Sequence, residues 1–358
     1  MSEQFARPRP TRRHVIQGVL ASSVAATATR VLAAAPPTEV ITPALIEAAR
    51  KEAAVHWYTA MDLPAAEALG KAFEAKFPGI AVRVERSGSE RVFSRIAQEL
   101  SSRIANVDVV TTADASHAIV WKRDGLLAAY VPEDVARFYK PEHKDADGTF
   151  AIHRAHLSVI AYNKDLVKAE DAPKSYADLL EPKWLAKLVK GNPNYSGTIL
   201  TATFQIARDL GWAYYEKLAK QKVLQVQSSV DPPKKIALGE RPVMADGGDY
   251  NVWQQQQKGA PLEIVYASEG TPFVTNPNAV FKSAPHPNAA RLLQNWMLSA
   301  EGQQFSVDIT GIYSLHSEVK AKPGRRPLAD IKLMKDDAQA VEAQSDQIKA
   351  RYTQIFRV

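Results

Sequence analysis

Cysteine is absent from the 358-residue chain, which excludes disulfide bonds, thiolate metal sites and a lipid-modified N-terminal cysteine. The sequence also contains no G-x-S-x-G, H-E-x-x-H, P-loop or G-x-G-x-x-G motif. In several large enzyme classes these motifs carry the nucleophile, the zinc ligands or the phosphate-binding backbone. Their absence favours a binding protein, so we predict neither catalytic activity nor a cofactor.

Clustered positive charge is also lacking outside the N-terminus. The formal charge of the whole chain is +6, but residues 1–35 hold five arginines and one glutamate, which leaves the rest near +2. No lysine and arginine cluster is interleaved with aromatic residues, so we predict no nucleic-acid partner. No later apolar run is long enough to predict a membrane span.

Residues 1–35 have the layout of an export signal. Arg12 and Arg13 precede a mildly apolar run, and small residues at 33–35 form a cleavage region. The arginine pair predicts twin-arginine export, with general secretory export as the alternative because the residues after the pair fit that motif imperfectly. A disordered basic tail would be the non-functional interpretation. The pattern predicts a periplasmic protein whose signal is cleaved near residues 33–35.

Predicted strands and helices alternate along the mature chain. Residues 55–59 form an apolar strand, and residues 63–77 have a helical apolar face that Pro78-Gly79 ends. The same alternation restarts after a polar, turn-rich stretch, which predicts an α/β protein with two lobes, each a central sheet flanked by helices. We assign residues 36–155 and 270–320 to lobe 1, 156–269 to lobe 2, and 321–358 to a peripheral helical tail.

Two segments that cross between the lobes enclose a cleft, and ligands of open α/β sheets lie where strands lead into helices. Hydroxyl and glycine residues at those turns leave backbone N–H groups available to a ligand, although each alone could be an ordinary helix cap. The predicted ligand-binding residues are Tyr58, Thr59, Ser87, Gly88, Ser89, Thr112 and Asp114 in lobe 1, Tyr195, Ser196, Gly197, Thr198, Asp249 and Tyr250 in lobe 2, and Thr271 near the second crossing.

Two further groups of polar residues need an interpretation. Asp62 and Asp114 are the candidates for acid or base if the protein were an enzyme on this fold, which turnover of phosphate esters would reveal. His153 and His156 form an isolated H-x-x-H pair without further ligands nearby in the sequence. Zinc sites need at least three protein ligands, so this pair predicts no metal site.

Four segments are specific enough to indicate a family: Tyr162-Asn163, residues 172–184 around APKSYADLL and PKW, residues 284–290 reading APHPNAA, and residues 299–303 reading SAEGQ. They resemble the extracellular solute-binding proteins of ABC importers, in the branch often labelled ferric-ion-binding. The resemblance covers residues 36–320. It implies a type II periplasmic-binding fold, ligand capture by hinge closure, and a membrane permease and ATPase as partners of a monomer.

The ligand is a separate question, because this chain departs from the iron-binding pattern. Iron-binding members resemble one another in an adjacent tyrosine pair, where this chain has only Tyr250, and in a histidine and a glutamate at places that look like Asp62 and Ala113 here. If ferric iron were bound, Tyr250, Asp62 and Asp249 would be its ligands. The hydroxyl and glycine turns instead suit a small organic anion such as a phosphate ester or phosphonate. A chemoreceptor-coupled sensor is a further alternative.

Overall fold

The computed structural model describes residues 36–358, all in one compact unit. The predicted signal at residues 1–35, with Arg12, Arg13 and the cleavage region at 33–35, lies outside the described residues. Within the described part, no helix is long and apolar enough to cross a membrane.

The described strands are short. In chain order they are β1 Thr38–Glu39, β2 Ala54–Thr59, β3 Ala81–Arg86, β4 Val109–Thr111, β5 Val131–Pro132, β6 Ala151–Leu157, β7 Ile160–Asn163, β8 Leu188–Gly191, β9 Leu224–Val226, β10 Val243–Met244, β11 Leu262–Val265 and β12 Phe273–Val280.

Most of the α-helices follow directly from a strand. They are α1 Pro43–Glu52, α2 Leu63–Lys76, α3 Ser89–Ser101, α4 Ala115–Arg123, α5 Glu133–Phe138, α6 Gly197–Leu210, α7 Trp212–Ala219, α8 Asp231–Ala237, α9 Asp249–Gln257, α10 Pro287–Leu298, α11 Ala300–Thr310 and α12 Ala338–Phe356.

Lobe 1 is built on a five-stranded sheet in the order β3-β2-β4-β12-β6. Strands β2, β3 and β4 run parallel, whereas β12 is antiparallel to both of its neighbours. The apolar face of α2 packs Leu69 and Phe73 against Trp57 of β2 and Trp296 of α10. Because the parallel strands end at one edge, the loops before α2, α3 and α4 meet there.

Lobe 2 has a second five-stranded sheet in the order β11-β7-β10-β8-β9. Its core joins Ile160 and Leu188 of the sheet to Tyr215 and Leu218 of α7. The chain passes between the sheets twice, from β6 to β7 and from β11 to β12. The two-lobe α/β fold predicted from the sequence is therefore confirmed, while the residue limits assigned to each lobe stay a prediction.

Strand β6 differs from the sequence-based expectation. Residues 141–154 read as a polar turn region, yet Ala151–Leu157 forms a strand in which every residue is buried. Strand β6 pairs with β12 along most of its length, so its backbone groups are satisfied even though His153, Arg154 and His156 interrupt its apolar pattern. This strand carries side chains that are central to the site.

The C-terminal segment also differs from its predicted peripheral position. Helix α12 buries Val341, Ile348 and Tyr352 and packs on α4 of lobe 1 as well as on α6 and α7 of lobe 2. Inside lobe 2, the ammonium of Lys190 donates to the hydroxyl of Tyr352 at 2.7 Å and pairs with Asp246 at 3.1 Å. Most residues of this helix are polar or charged, so the sequence gives little sign of its apolar face. The three buried residues on that face are seven and four positions apart.

Candidate functional site

The loops predicted to bind ligand from opposite lobes are in direct contact. A Cβ atom on Gly88 of lobe 1 would lie 2.5 Å from the carbonyl oxygen of Tyr195 in lobe 2. A Cβ atom on Gly197 of lobe 2 would lie 2.9 Å from the carbonyl oxygen of Ala113 and 2.7 Å from Cβ of Asp114. All three distances are shorter than real Cβ contacts, so glycine at these two positions is what lets the lobes approach this closely.

A chain of buried hydrogen bonds crosses from lobe 1 to lobe 2. The amide of Asn276 donates to the carbonyl oxygen of Thr112, and its oxygen lies 2.9 Å from Nδ1 of His156. Nε2 of the same histidine lies 3.0 Å from the hydroxyl of Thr198. Burial and the neighbouring Arg154 lower the pKa of His156 to about 3. The histidine is therefore neutral and donates through Nδ1, so Nε2 accepts from Thr198.

The hydroxyl of Thr198, one of the predicted ligand-binding residues, is already engaged by His156. A hydroxyl has a single proton, and here it is donated to His156. In this arrangement the hydroxyl cannot also donate to an anion. We therefore expect the Thr198 side chain to hold the start of α6 against the crossing strand β6 rather than to bind the ligand directly.

The guanidinium of Arg154 is buried without a charged partner. The residue is 1% exposed, and among residues 36–358 its Nε and Nη1 have no hydrogen-bond partner and no carboxylate pairs with it. The group lies over the ring of Tyr250, 5.2 Å from the centroid. Burying an unpaired charge costs several kcal/mol, so such a group on a strand that leads from one lobe to the other indicates a place for a negatively charged ligand.

Further positive charge lies around Tyr250. Burial raises the pKa of the Tyr250 phenol, while Arg154 and Arg86 lower it and Asp62 raises it. Arg86 also donates from Nε to the carbonyl oxygen of Met61 at 3.1 Å. The environment of this tyrosine therefore holds two guanidinium groups against one carboxylate.

Arg86 connects this buried region with an open groove of about 330 Å³ between the lobes. Arg91 reaches across the groove, where its Nη2 donates to Gln227 at 3.1 Å and its guanidinium lies 5.3 Å from the ring centre of Tyr195. The groove thus has two arginines and one acid. Its lining residues are Arg86, Ser87, Gly88, Arg91, Tyr195, Gln227, Ser228 and Asp231.

Several predicted hydroxyl groups serve local structure in the described arrangement. The hydroxyl of Ser89 accepts from the backbone N–H of Ala113, and that of Ser196 caps α6 by accepting from Ile199. The hydroxyl of Thr59 accepts from Met61, and that of Thr112 donates to the carbonyl oxygen of Asp114. These residues shape the facing loops, and their direct contact with ligand stays a prediction.

Two predicted residues lie apart from the facing loops. Tyr58 belongs to the core beneath α3, where its hydroxyl donates to Glu99 and burial with that contact raises the pKa of the phenol to about 12. Thr271 pairs instead with the C-terminal segment, through its backbone bond to the carbonyl oxygen of Lys332. Neither is brought to Gly88 or Gly197.

The three residues proposed for ferric iron are not arranged as a ligand set. The Asp249 carboxylate is buried, accepts from the backbone N–H of Leu157 and pairs with the guanidinium of Arg325. Asp62 is near Tyr250, and its Oδ1 has no hydrogen-bond partner among the described residues. Tyr250 faces Arg154 rather than a set of carboxylates.

The residues that sequence reasoning missed are on the crossing strands: Arg154, His156 and Asn276. The H-x-x-H pair drew attention as a possible metal motif, yet within residues 36–358 neither His153 nor His156 joins a group of metal-ligating side chains. The available signal was three polar side chains within an otherwise apolar run. Such a pattern in a buried strand indicates a polar site.

The carboxyl group of Asp336 should make the stability of the folded protein depend on pH. Burial raises the pKa of Asp336 to about 6, with a further rise from the charge of Asp114, although the hydroxyl of Thr275 donates to it at 2.6 Å. Because this pKa is higher in the folded state than in the unfolded state, protonated Asp336 contributes to the free energy of unfolding. The contribution is fully present below about pH 4 and is lost as the pH rises through 6.

We therefore expect Asp336→Asn to gain stability relative to the wild type as the pH rises from 4 to 6.5. The shift corresponds to about 3 kcal/mol at most, and about 1–2 kcal/mol after allowance for solvent screening of a partly exposed side chain. Urea unfolding at several pH values measures this difference. The exposed Asp330→Asn is the control, and an equal pH profile for both variants would contradict the prediction.

A profile of the bacterial extracellular solute-binding protein family matches residues 59–304. The probable ABC transporter periplasmic-binding protein y4fP of Sinorhizobium fredii is 23% identical over 241 residues, which is 64% of this chain and 65% of that protein.

Two solved structures share the fold. The periplasmic binding protein AfuA from Actinobacillus pleuropneumoniae, with exogenous fructose-6-phosphate bound, is 22% identical, has a TM-score of 0.77, and aligns with 85% of this chain and 98% of its own. Iron-bound HitA from Pseudomonas aeruginosa is 25% identical with a TM-score of 0.72, over 84% of this chain and 99% of its own. The fold is therefore found with both anionic and metal ligands.

Proposed function

Because the chain belongs to the bacterial extracellular solute-binding protein family, we propose that its cleft captures a small organic anion, such as a phosphate ester or phosphonate. The chain is the substrate-binding component of an ABC importer and acts outside the cytoplasmic membrane. In our proposal the lobes close over the anion, and the monomer delivers it to the permease, where the ATPase drives uptake.

The single observation that carries the anion proposal is the unpaired guanidinium of Arg154. The Tyr250 ring offsets only part of the cost of burying this charge, and a partner of opposite sign would offset much more of it. A carboxylate, phosphate or phosphonate group would supply that partner, and guanidinium binds such groups through paired hydrogen bonds. A ferric ion beside Tyr250 would instead add positive charge to a region that already holds Arg154 and Arg86.

Comparison with AfuA supports the same ligand class, since that protein was solved with fructose-6-phosphate. HitA supports the alternative of ferric iron. The first experiment is a thermal-shift screen of the mature protein against phosphate esters, phosphonates, carboxylates and ferric complexes. A ligand at about 100 times its dissociation constant adds about 2.7 kcal/mol of stability. Stabilisation by ferric complexes alone would favour the iron alternative.

Export is a separate part of the proposal and rests on Arg12 and Arg13. We expect replacement of both arginines by lysine to retain the precursor in the cytoplasm, because the twin-arginine machinery reads this pair. Fractionation followed by immunodetection measures the distribution. Normal periplasmic accumulation of the variant would leave the general secretory route as the explanation.

A further inference from the structure

Three ionisable side chains converge beside the facing loops. Glu90 comes from the first turn of α3, Asp114 is the N-cap of α4, and His117 comes from the first turn of α4. Nε2 of His117 lies 3.2 Å from Oε1 of Glu90 and 3.9 Å from Oδ2 of Asp114. One ligating atom from each residue falls within 4.8 Å of the other two.

One carboxylate oxygen of each acidic residue is aimed into this space. The side chain of Asp114 is 1% exposed and that of Glu90 is 10% exposed. Among the described residues, Oδ2 of Asp114 has no hydrogen-bond partner, and Oε1 of Glu90 faces Nε2 of His117. A buried carboxylate oxygen without a hydrogen-bond partner is costly, and its position beside a second carboxylate and an imidazole nitrogen indicates that a cation completes the site.

Surrounding contacts hold the three side chains in place. The ring of His117 stacks on Phe93 at 4.5 Å between centroids. Oε2 of Glu90 accepts a hydrogen bond from the ammonium of Lys349 on α12. Oδ1 of Asp114 accepts from the backbone N–H of Ser116 at 2.9 Å. These outer partners fix the orientation of both carboxylates and leave one oxygen of each free.

We infer that Glu90, Asp114 and His117 bind one divalent transition-metal cation of the zinc class. One imidazole nitrogen with two carboxylate oxygens is a donor set for Zn²⁺, which takes three protein ligands and a water molecule. Mg²⁺ and Ca²⁺ prefer six or more oxygen donors, which this site does not offer. The cation joins the loops after β3 and β4 and is distinct from the position of the anion beside Arg154.

The test is equilibrium dialysis of the tag-free mature protein after removal of metal by a chelator. We expect one equivalent of Zn²⁺ per chain, with a raised melting temperature, and a smaller effect of Mg²⁺ or Ca²⁺. Both His117→Gln and Asp114→Asn should weaken Zn²⁺ binding by about tenfold or more. Dialysis on the folded fraction, checked by circular dichroism, separates lost binding from lost folding.

His286→Gln is the matched control, since this histidine also pairs with a carboxylate, Asp108 at 2.8 Å, at a place where no third ligand is described. It should bind Zn²⁺ as the wild type does. The inference is overturned if the wild type takes up no Zn²⁺, which would leave a His117–Glu90 ion pair, or if His117→Gln and His286→Gln bind equally. Neither outcome affects the anion titration, so the two proposals fail separately.

Discussion

Arg154→Met is expected to remove anion binding while leaving the ligand-free protein at least as stable as the wild type. In the described structure this guanidinium has no acidic partner, so methionine removes an uncompensated buried charge and retains most of the side-chain volume. Binding loses its main charge contact, which costs about 2–5 kcal/mol and therefore about 30-fold or more in affinity. Calorimetric titration and urea unfolding measure the two effects.

Arg325→Met is the contrasting control. This arginine is also buried, but it pairs with Asp249, whose carboxylate also holds the backbone of Leu157. Its replacement leaves the buried carboxylate of Asp249 without its charged partner, which should destabilise the ligand-free protein by about 3–5 kcal/mol. If Arg154→Met destabilised the protein to a similar degree, Arg154 would be a structural residue and the anion proposal would lose its main support.

The second large effect is expected at the two glycines between the lobes. Gly88→Ala would place a methyl group 2.5 Å from the carbonyl oxygen of Tyr195, and Gly197→Ala would place one 2.9 Å from that of Ala113. Both partners are backbone atoms, so the lobes must separate to relieve the clash. Overpacking of this kind costs about 1–3 kcal/mol in the closed form, or about 5- to 150-fold in affinity.

Small-angle scattering measures this effect directly. The wild type should contract when it binds ligand, whereas the Gly88→Ala, Gly197→Ala double variant should keep a larger radius of gyration. Ser101→Ala removes only an exposed hydroxyl from the last residue of α3, away from the facing loops, and should contract normally. Gly197→Asp should abolish binding altogether, since it adds a carboxylate at the start of α6. A double variant that contracted as the wild type does would contradict a role of these glycines in closure.

Sequence patterns predicted the elements whose apolar periodicity was regular. Helix α2 and strand β2 were evident because Leu69, Phe73 and Trp57 fall on one buried face of each. The glycine turns were correctly expected at strand-to-helix junctions. Their actual role could not be read from the sequence, because the contact of Gly88 with Tyr195 joins residues more than a hundred positions apart.

The most informative part of the site was hidden for a physical reason. Strand β6 alternates too little to give a strand signal, since its buried positions include charged and polar side chains that the opposite strand and the facing loops accommodate. Arg154 thus resembled part of a polar connection. Likewise, Tyr58 looked like a ligand residue by its place after a strand, but pleating directs it to Glu99 on α3.

The cap at the N-terminus of α10 could not be predicted from the local sequence either. Asparagine is a preferred N-cap residue, yet His286 and not Asn288 occupies the N-cap position of α10. The backbone N–H groups of Asn288 and Ala289 donate instead to Glu52 of α1, a residue more than 230 positions earlier in the chain. Capping by a distant carboxylate depends on tertiary packing, which the local sequence does not encode.

Calorimetric titration of the wild-type mature protein tests the central claim most directly, with phosphate esters and phosphonates in one series and ferric citrate in another. We predict that a member of the anion series binds saturably with one site per chain, and that Arg154→Met removes the binding heat. Ferric citrate should give no tyrosinate-to-iron absorption. If no anion bound, and ferric iron gave a colour that Tyr250→Phe bleached, the protein would be an iron carrier.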